Sequence, residues 1–153
     1  IKNQRPYVTL KICLTMDGKI YNLKNNKENI GDSLQLEHAN RLRKEYNSIL
    51  VGINTIINDN PQLTYRGKDR EFFRQPRPIV LDSNLRIPLR SKIIGLKNSP
   101  IIFTKISSSS RKFKALTQAG CEIVTINALK PKRILNKTNI QYSLRVARPW
   151  KFA

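Results

Sequence analysis

The sequence predicts an α/β fold built on a mainly parallel central sheet flanked by helices. Two patterns carry this expectation. Strand-like segments alternate with helix-like ones, and each connection between strands is too long for a hairpin. The segment PIVLD, residues 78–82, is also a short continuous apolar run of the kind that fills a parallel strand buried on both faces.

The elements follow in order. Residues 7–14 (YVTLKICL) alternate, with Val8, Leu10, Ile12 and Leu14 on one face and Tyr7, Thr9, Lys11 and Cys13 on the other, which predicts a strand. Asp17-Gly18-Lys19 reads as a turn and leads into an Asn/Lys-rich loop ending at Gly31. Asp32 or Ser33 is placed to cap a helix running to about Tyr46, and Gln35 is spaced as a capping-box partner of Asp32. Leu34, His38 and Leu42 form one stripe of that helix, which makes His38 a packing residue rather than a catalytic one. A strand at 48–51, a polar loop at 67–76 and the strand at 78–82 come next. Strands at 100–104 and 121–126 enclose a helix at 110–119 that Gly120 stops, and a last strand is expected at 140–146.

The chain of 153 residues is long enough for one domain with a real core. No apolar run approaches the roughly 20 residues of a membrane-crossing helix, and no signal peptide opens the sequence. Cys13 and Cys121 lie far apart with no CxxC, and His38 is the one histidine, so no metal site is expected. Two free thiols suit a reducing compartment, and a cytoplasmic protein is the expectation. The net charge of +19 is uneven: residues 1–82 carry +5 and residues 83–153 carry +14. Such a field attracts phosphorylated ligands or nucleic acid. The cations are spread over every expected element without interleaved aromatics, so nucleic acid is not the expected partner.

The richest segment is residues 51–66, VGINTIINDNPQLTYR. It leaves a strand through Gly52, turns into a short helix opened by Asn54 and Thr55, and stops at Pro61. That path delivers Asp59, Thr64 and Arg66 to one edge of the sheet. Glycine lets a ligand approach the backbone, and a helix start presents unpaired N–H groups, which together suit a phosphate-bearing ligand.

The same segment resembles the VGxxTVLxDDPxLTxR stretch of the riboflavin-pathway reductases. Three more segments match that family in order: RPYVTLKICLTMDGK at 5–19, RLRKE at 41–45 and PIVLDSNLRIP at 78–88. The resemblance implies a dihydrofolate-reductase-like fold, a homodimer, and NADPH-dependent reduction of a ribosylamino-pyrimidine 5′-phosphate to its ribitylamino counterpart. It places Leu14 (through its backbone), Thr55, Asp59 and Ser83 on the cofactor, where the open backbone of Gly52 also belongs, and Arg43, Leu63 and Arg66 on the substrate. Two arginines suit a phosphate, which they grip through paired N–H groups. Arg86 stands near Ser83 either as a second cofactor-phosphate contact or as a surface residue. Asp59 is the candidate for a proton-handling or polarising role. Lys11 is the other catalytic candidate, because an amine inside an apolar strand needs a partner such as Asp17, Asp59 or a bound phosphate, unless it reaches past the sheet edge. The deaminase signature that accompanies some of these reductases, HxE with PCxxC, does not occur in the sequence.

After residues 141–146 (QYSLRV) the family would place an acidic-glycine-glycine turn, and here ARPWKFA stands instead. The expected organisation is therefore a reductase domain at 1–146, incomplete in its C-terminal third, and a non-family tail at 147–153, with weak NADPH binding by this chain alone. Two rival readings are an inactive remnant and a basic nucleotide- or nucleic-acid-binding protein.

Overall fold

In the computed structural model, residues 7–14, 16–18 and 32–126 are described. The expected strand at 140–146, the tail at 147–153 and most of the loop before Gly31 lie outside them.

The first described element is a helix, α1 (Ser33–Glu45), capped by Asp32, whose carboxylate accepts from the Gln35 backbone N–H at 2.8 Å. The second half of the expected capping box is replaced: the Gln35 side-chain oxygen accepts from the Cys13 thiol at 3.5 Å. A strand β1 (Ser48–Gly52) passes without a loop into a short helix α2 (Ile53–Asp59). A single 3₁₀ turn (Arg70–Phe72) precedes strand β2 (Arg77–Leu81). Strand β3 (Ile101–Thr104), helix α3 (Arg111–Gln118) and strand β4 (Glu122–Thr125) complete the described elements.

Among the described residues the sheet is parallel and its strands lie in chain order, β1-β2-β3-β4. Pro78 sits inside β2, an interior strand, yet costs little there. It pairs with Ile49 of β1, whereas pairing with β3 begins only at Ile79 opposite Ile101, so the missing N–H falls beyond the β3 ladder. At the start of the sheet the Arg77 guanidinium donates to the Ser99 carbonyl at 2.7 Å and to Glu122 at 2.7 Å, tying β2 to the entrances of β3 and β4.

Strand alternation divides the core in two. One cluster gathers Val80 and Ile102 with Ile53 and Ile56 of α2 and Leu116 of α3. Leu85, Ile87 and Ile93 join it from the irregular stretch between β2 and β3. The other face of the sheet holds Ile101, Phe103 and Ile126, with Ile79, Leu81 and Val124 beside them. Helix α3 ends as Gly120 predicts: it adopts φ +87°, its N–H donates to Thr117 O, and the next N–H, of Cys121, reaches Leu116 O.

Two expectations are corrected. Residues 7–14 form no strand, and their alternating apolar side chains stand exposed, Leu10 to 78%. A strand needs hydrogen-bonding neighbours as well as a period of two, and among the described residues this segment bonds to α1 and to Tyr46, whose hydroxyl donates to Thr9 Oγ1 at 3.0 Å. Helix α1 forms as expected, but its Leu34/His38/Leu42 stripe is not core: none of its residues is buried.

Candidate active site

The carboxyl ends of β1 and β2 adjoin. Gly52, the last residue of β1, pairs in register with Leu81 of β2 and is the N-cap of α2. A side-chain carbon added at Gly52 would meet no atom within 4 Å, so the backbone there faces open space that a ligand can occupy. Thr55 and Asp59 are four residues apart on α2 and therefore share one side of it, Thr55 half-buried and Asp59 exposed.

The turn after β2 is built around Asp82, which is fully buried. Its backbone N–H donates to Phe103 O, its carbonyl accepts from Leu85 N, and its Oδ2 accepts from Ile87 N at 2.8 Å. This closure bends Leu85 into the left-handed region (φ 53°) and sends its side chain into the core. The Ser83 carbonyl accepts from Lys105 N at 3.0 Å and from Thr104 Oγ1 at 3.2 Å, which fixes the turn to the end of β3. Arg86 then reaches across to α2, donating to Asn54 Oδ1 at 2.7 Å. The β1–α2 junction at Gly52 and the turn that carries Ser83 and Arg86 thus adjoin, through the Gly52–Leu81 register and the Arg86–Asn54 bond, and bring open backbone and a guanidinium together.

A second basic feature lies between α1 and the segment that follows α2. Arg43 donates to Thr64 O at 3.0 Å, and the Arg66 backbone N–H donates to Asn40 Oδ1 at 3.1 Å. These two tethers bring the arginines close enough for their charges to interact. Burial, and then the neighbouring Arg66 charge, lowers the pKa of Arg43 from the usual arginine value. Among the described residues neither arginine meets a carboxylate within salt-bridge distance. Two neighbouring arginines with no carboxylate partner among the described residues make a place for an anion.

Comparison with known proteins gives this arrangement its setting. The family described as the RibD C-terminal domain matches residues 6–144. The chain belongs to that family. It is 36% identical over 138 residues to the riboflavin biosynthesis protein RibD of Aquifex aeolicus, covering 90% of this chain and 38% of that protein. It is 37% identical over 120 residues to the 2,5-diamino-6-ribosylamino-4(3H)-pyrimidinone 5′-phosphate reductase of Methanothermobacter thermautotrophicus, covering 78% of this chain and 55% of that one. Among solved structures, RibD of Acinetobacter baumannii (form 1) superimposes with a TM-score of 0.77 at 25% identity, over 91% of this chain and 38% of its own. The chain therefore spans between about a third and about half the length of these relatives. The expected α/β fold of the dihydrofolate-reductase-like kind holds.

Within this RibD-family frame the remaining candidates separate. Leu63 takes a left-handed φ of 56° and buries its side chain in the core, so only its backbone can meet a substrate. Lys11 is exposed, and the argument that a buried amine demands a partner does not apply to it. Leu14 is more than half exposed on the irregular segment 7–14 rather than at a strand end. Asn54, expected with Thr55 to open the short helix, does not: α2 begins at Ile53 with Gly52 as its N-cap, and Asn54 instead accepts from Arg86. Asn40 and Asp82, which position Arg66 and the Ser83 turn, were not singled out; Asn40 looks like an ordinary helix-surface amide, and the one signal for Asp82 is a carboxylate directly after an apolar strand.

Proposed function

We propose that this chain carries the cofactor and substrate-phosphate subsites of an NADPH-dependent reductase of riboflavin biosynthesis, acting on a ribosylamino-pyrimidine 5′-phosphate. The relatives' names support the substrate class, and the observation that carries the reading is the Arg43–Arg66 pair, which meets no carboxylate partner among the described residues. On this reading the arginines take the 5′-phosphate of the substrate. The hydroxyls of Thr55 and Ser83 hydrogen-bond the cofactor, the open backbone at Gly52 admits it, and Arg86 pairs with one of its phosphates. The reduced nicotinamide supplies the hydride that converts the ribosylamino imine to the ribitylamino product. Asp59, exposed at the end of the same helix side as Thr55, handles the accompanying proton or polarises the reacting group. Alignment of the two ligands along one sheet edge is the protein's main contribution. Residues 1–146 constitute the reductase portion, the protein works in the cytoplasm, and it pairs as a homodimer.

The reading is tested by calorimetric titration with the pyrimidine ligand in 5′-phosphorylated and dephosphorylated forms, and separately with NADPH. Arg66→Ala removes one charge-assisted contact, worth about 1.5–3 kcal/mol, or roughly 10–150-fold in affinity. The loss is expected for the phosphorylated ligand alone. Equal weakening of NADPH, or no preference of the unaltered chain for the phosphorylated form, refutes the assignment.

A further inference from the structure

The face of α1 that carries Asn40 and Arg43 also carries Lys44, and Lys44 leads to a side-chain cluster that the proposed reaction does not use. Its ammonium pairs with Asp69 Oδ2 at 2.7 Å. The other oxygen of Asp69 accepts from the Tyr65 hydroxyl at 2.5 Å. The Lys44 ammonium also lies 3.7 Å from the centre of the Phe73 ring and 5.8 Å from that of Tyr65, and the two rings meet edge to face. Tyr65 is buried although it sits in a loop, and its backbone N–H donates to Gln75 Oε1 at 2.8 Å.

Tyr65 stands between Thr64, which receives Arg43, and Arg66, which is held by Asn40. Its ring is the anchor of that short segment. Gly67 shows how close the fit is: a side-chain carbon added there would overlap the Tyr65 hydroxyl and the ring carbon that bears it, and would lie 2.8 Å from Asp69 Oδ1. The loop therefore reaches this conformation only with glycine at 67, although the backbone at that position is not left-handed.

We propose that Lys44, Tyr65 and Asp69 form a clamp that holds residues 64–69 against α1 and so sets Arg66 beside Arg43. All three are positioning residues, with no contact to the phosphate. The inference rests on the arginine pair being the substrate-phosphate site. In the clamp the Asp69 carboxylate bridges helix and loop, the lysine fixes it from the helix, and the phenol fixes it from the loop. A displaced loop would withdraw the Thr64 carbonyl to which Arg43 donates and carry Arg66 away from α1, so phosphate affinity falls while the cofactor edge, built from β1, α2 and the Ser83 turn, is untouched.

The test uses the full chain with ribose 5-phosphate as the phosphate probe and NADPH as the control ligand. The variants are Lys44→Met, Lys44→Arg, Tyr65→Phe, Gly67→Ala and, as reference, Arg66→Ala. Lys44→Met, Tyr65→Phe and Gly67→Ala are each expected to weaken ribose 5-phosphate by about tenfold, the lower end of what one charge-assisted contact gives. NADPH affinity is expected to stay at the unaltered value, and Lys44→Arg is expected to restore phosphate binding. If Arg66→Ala weakens the probe while the clamp variants bind as the unaltered chain does, the clamp is refuted and the arginine site stands. If the clamp variants lose both ligands equally, their role is structural and the inference is overturned. Failure of the unaltered chain to bind ribose 5-phosphate, or indifference to Arg66→Ala, refutes the arginine site and the clamp with it.

Discussion

Asp82 is the residue whose replacement tests the architecture of the cofactor edge most sharply. It is a fully buried carboxylate with one oxygen, Oδ2, accepting from the equally buried Ile87 N–H, while Oδ1 meets no donor. Asp82→Ala orphans the Ile87 N–H, and a hydrogen bond to a charged acceptor is worth about 1.5–3 kcal/mol. The opposite term is the unpaired Oδ1, whose burial costs free energy that alanine recovers in part. The turn also restrains Leu85 in a left-handed conformation that costs about 1–2 kcal/mol for an L-residue, and it loses its side-chain closure. The balance is an expected loss of about 1–3 kcal/mol, or roughly 2–12 °C in Tm for a chain of this length. Asp82→Asn keeps an acceptor for Ile87 and buries no charge, so it is expected to lie within about 1 kcal/mol of the unaltered protein. Urea unfolding followed by far-ultraviolet circular dichroism measures both. Alanine as stable as aspartate would show that the buried charge costs more than its bond returns. Asparagine as damaging as alanine would show that the acceptor for Ile87 is not what Asp82 provides.

Three further outcomes are expected. Gly120→Ala should destabilise by about 1–2 kcal/mol through the left-handed backbone alone, since the nearest atom to an added carbon is Ser99 Oγ at an ordinary 3.7 Å; urea unfolding reads it. Hydrogen bonds from Lys44 and Tyr65 hold the Asp69 carboxyl below the usual carboxylate range, whereas the bond to Asp69 raises the Tyr65 phenol. A depressed acid stabilises the fold above its unfolded pKa, and that stability fades as pH falls through the folded value. A raised phenol contributes below its unfolded pKa, and its contribution fades as pH climbs through the folded one. Stability should therefore decline below about pH 4 and above about pH 10, and Asp69→Asn should flatten both limbs in denaturation measured across pH. Burial pushes the Cys121 thiol up, so Ellman's reagent should modify Cys13 first and reach Cys121 only as the chain unfolds.

The four strands were legible because each is a short apolar, mostly β-branched run closed by turn residues, and that pattern needs no knowledge of partners. Helix α1 was legible from its cap Asp32 and helix α3 from the Gly120 that stops it. What failed was inference from periodicity to burial. Residues 7–14 alternate as a strand should, but alternation records which side chains share a face and not whether a strand is there to bond, and none of the described strands pairs with them. The stripe on α1 failed for a related reason: the contacts of that helix run through Asn40, Arg43 and Lys44, polar residues that a hydrophobic pattern ignores. Leu85, Ile87 and Ile93 were missed as core because they are buried from an irregular stretch, where no period exists to read. At the candidate site, the pairing of Arg43 with Arg66 was legible only through family resemblance, since 22 intervening residues separate them in the chain.

The strand order has a consequence for how the molecule comes together. Each strand docks on the one made just before it: Ser48 pairs with Arg77, Ile79 with Ile101, and Ile101 with Glu122. Every closure joins positions roughly 20–30 residues apart, a separation whose entropic cost grows only slowly with loop length. No described strand has to wait for a later one to be inserted between itself and its predecessor. The sheet can grow by accretion from β1 toward β4 as the chain leaves the ribosome, and the edge formed by Gly52 and the Ser83 turn is complete once β3 has docked.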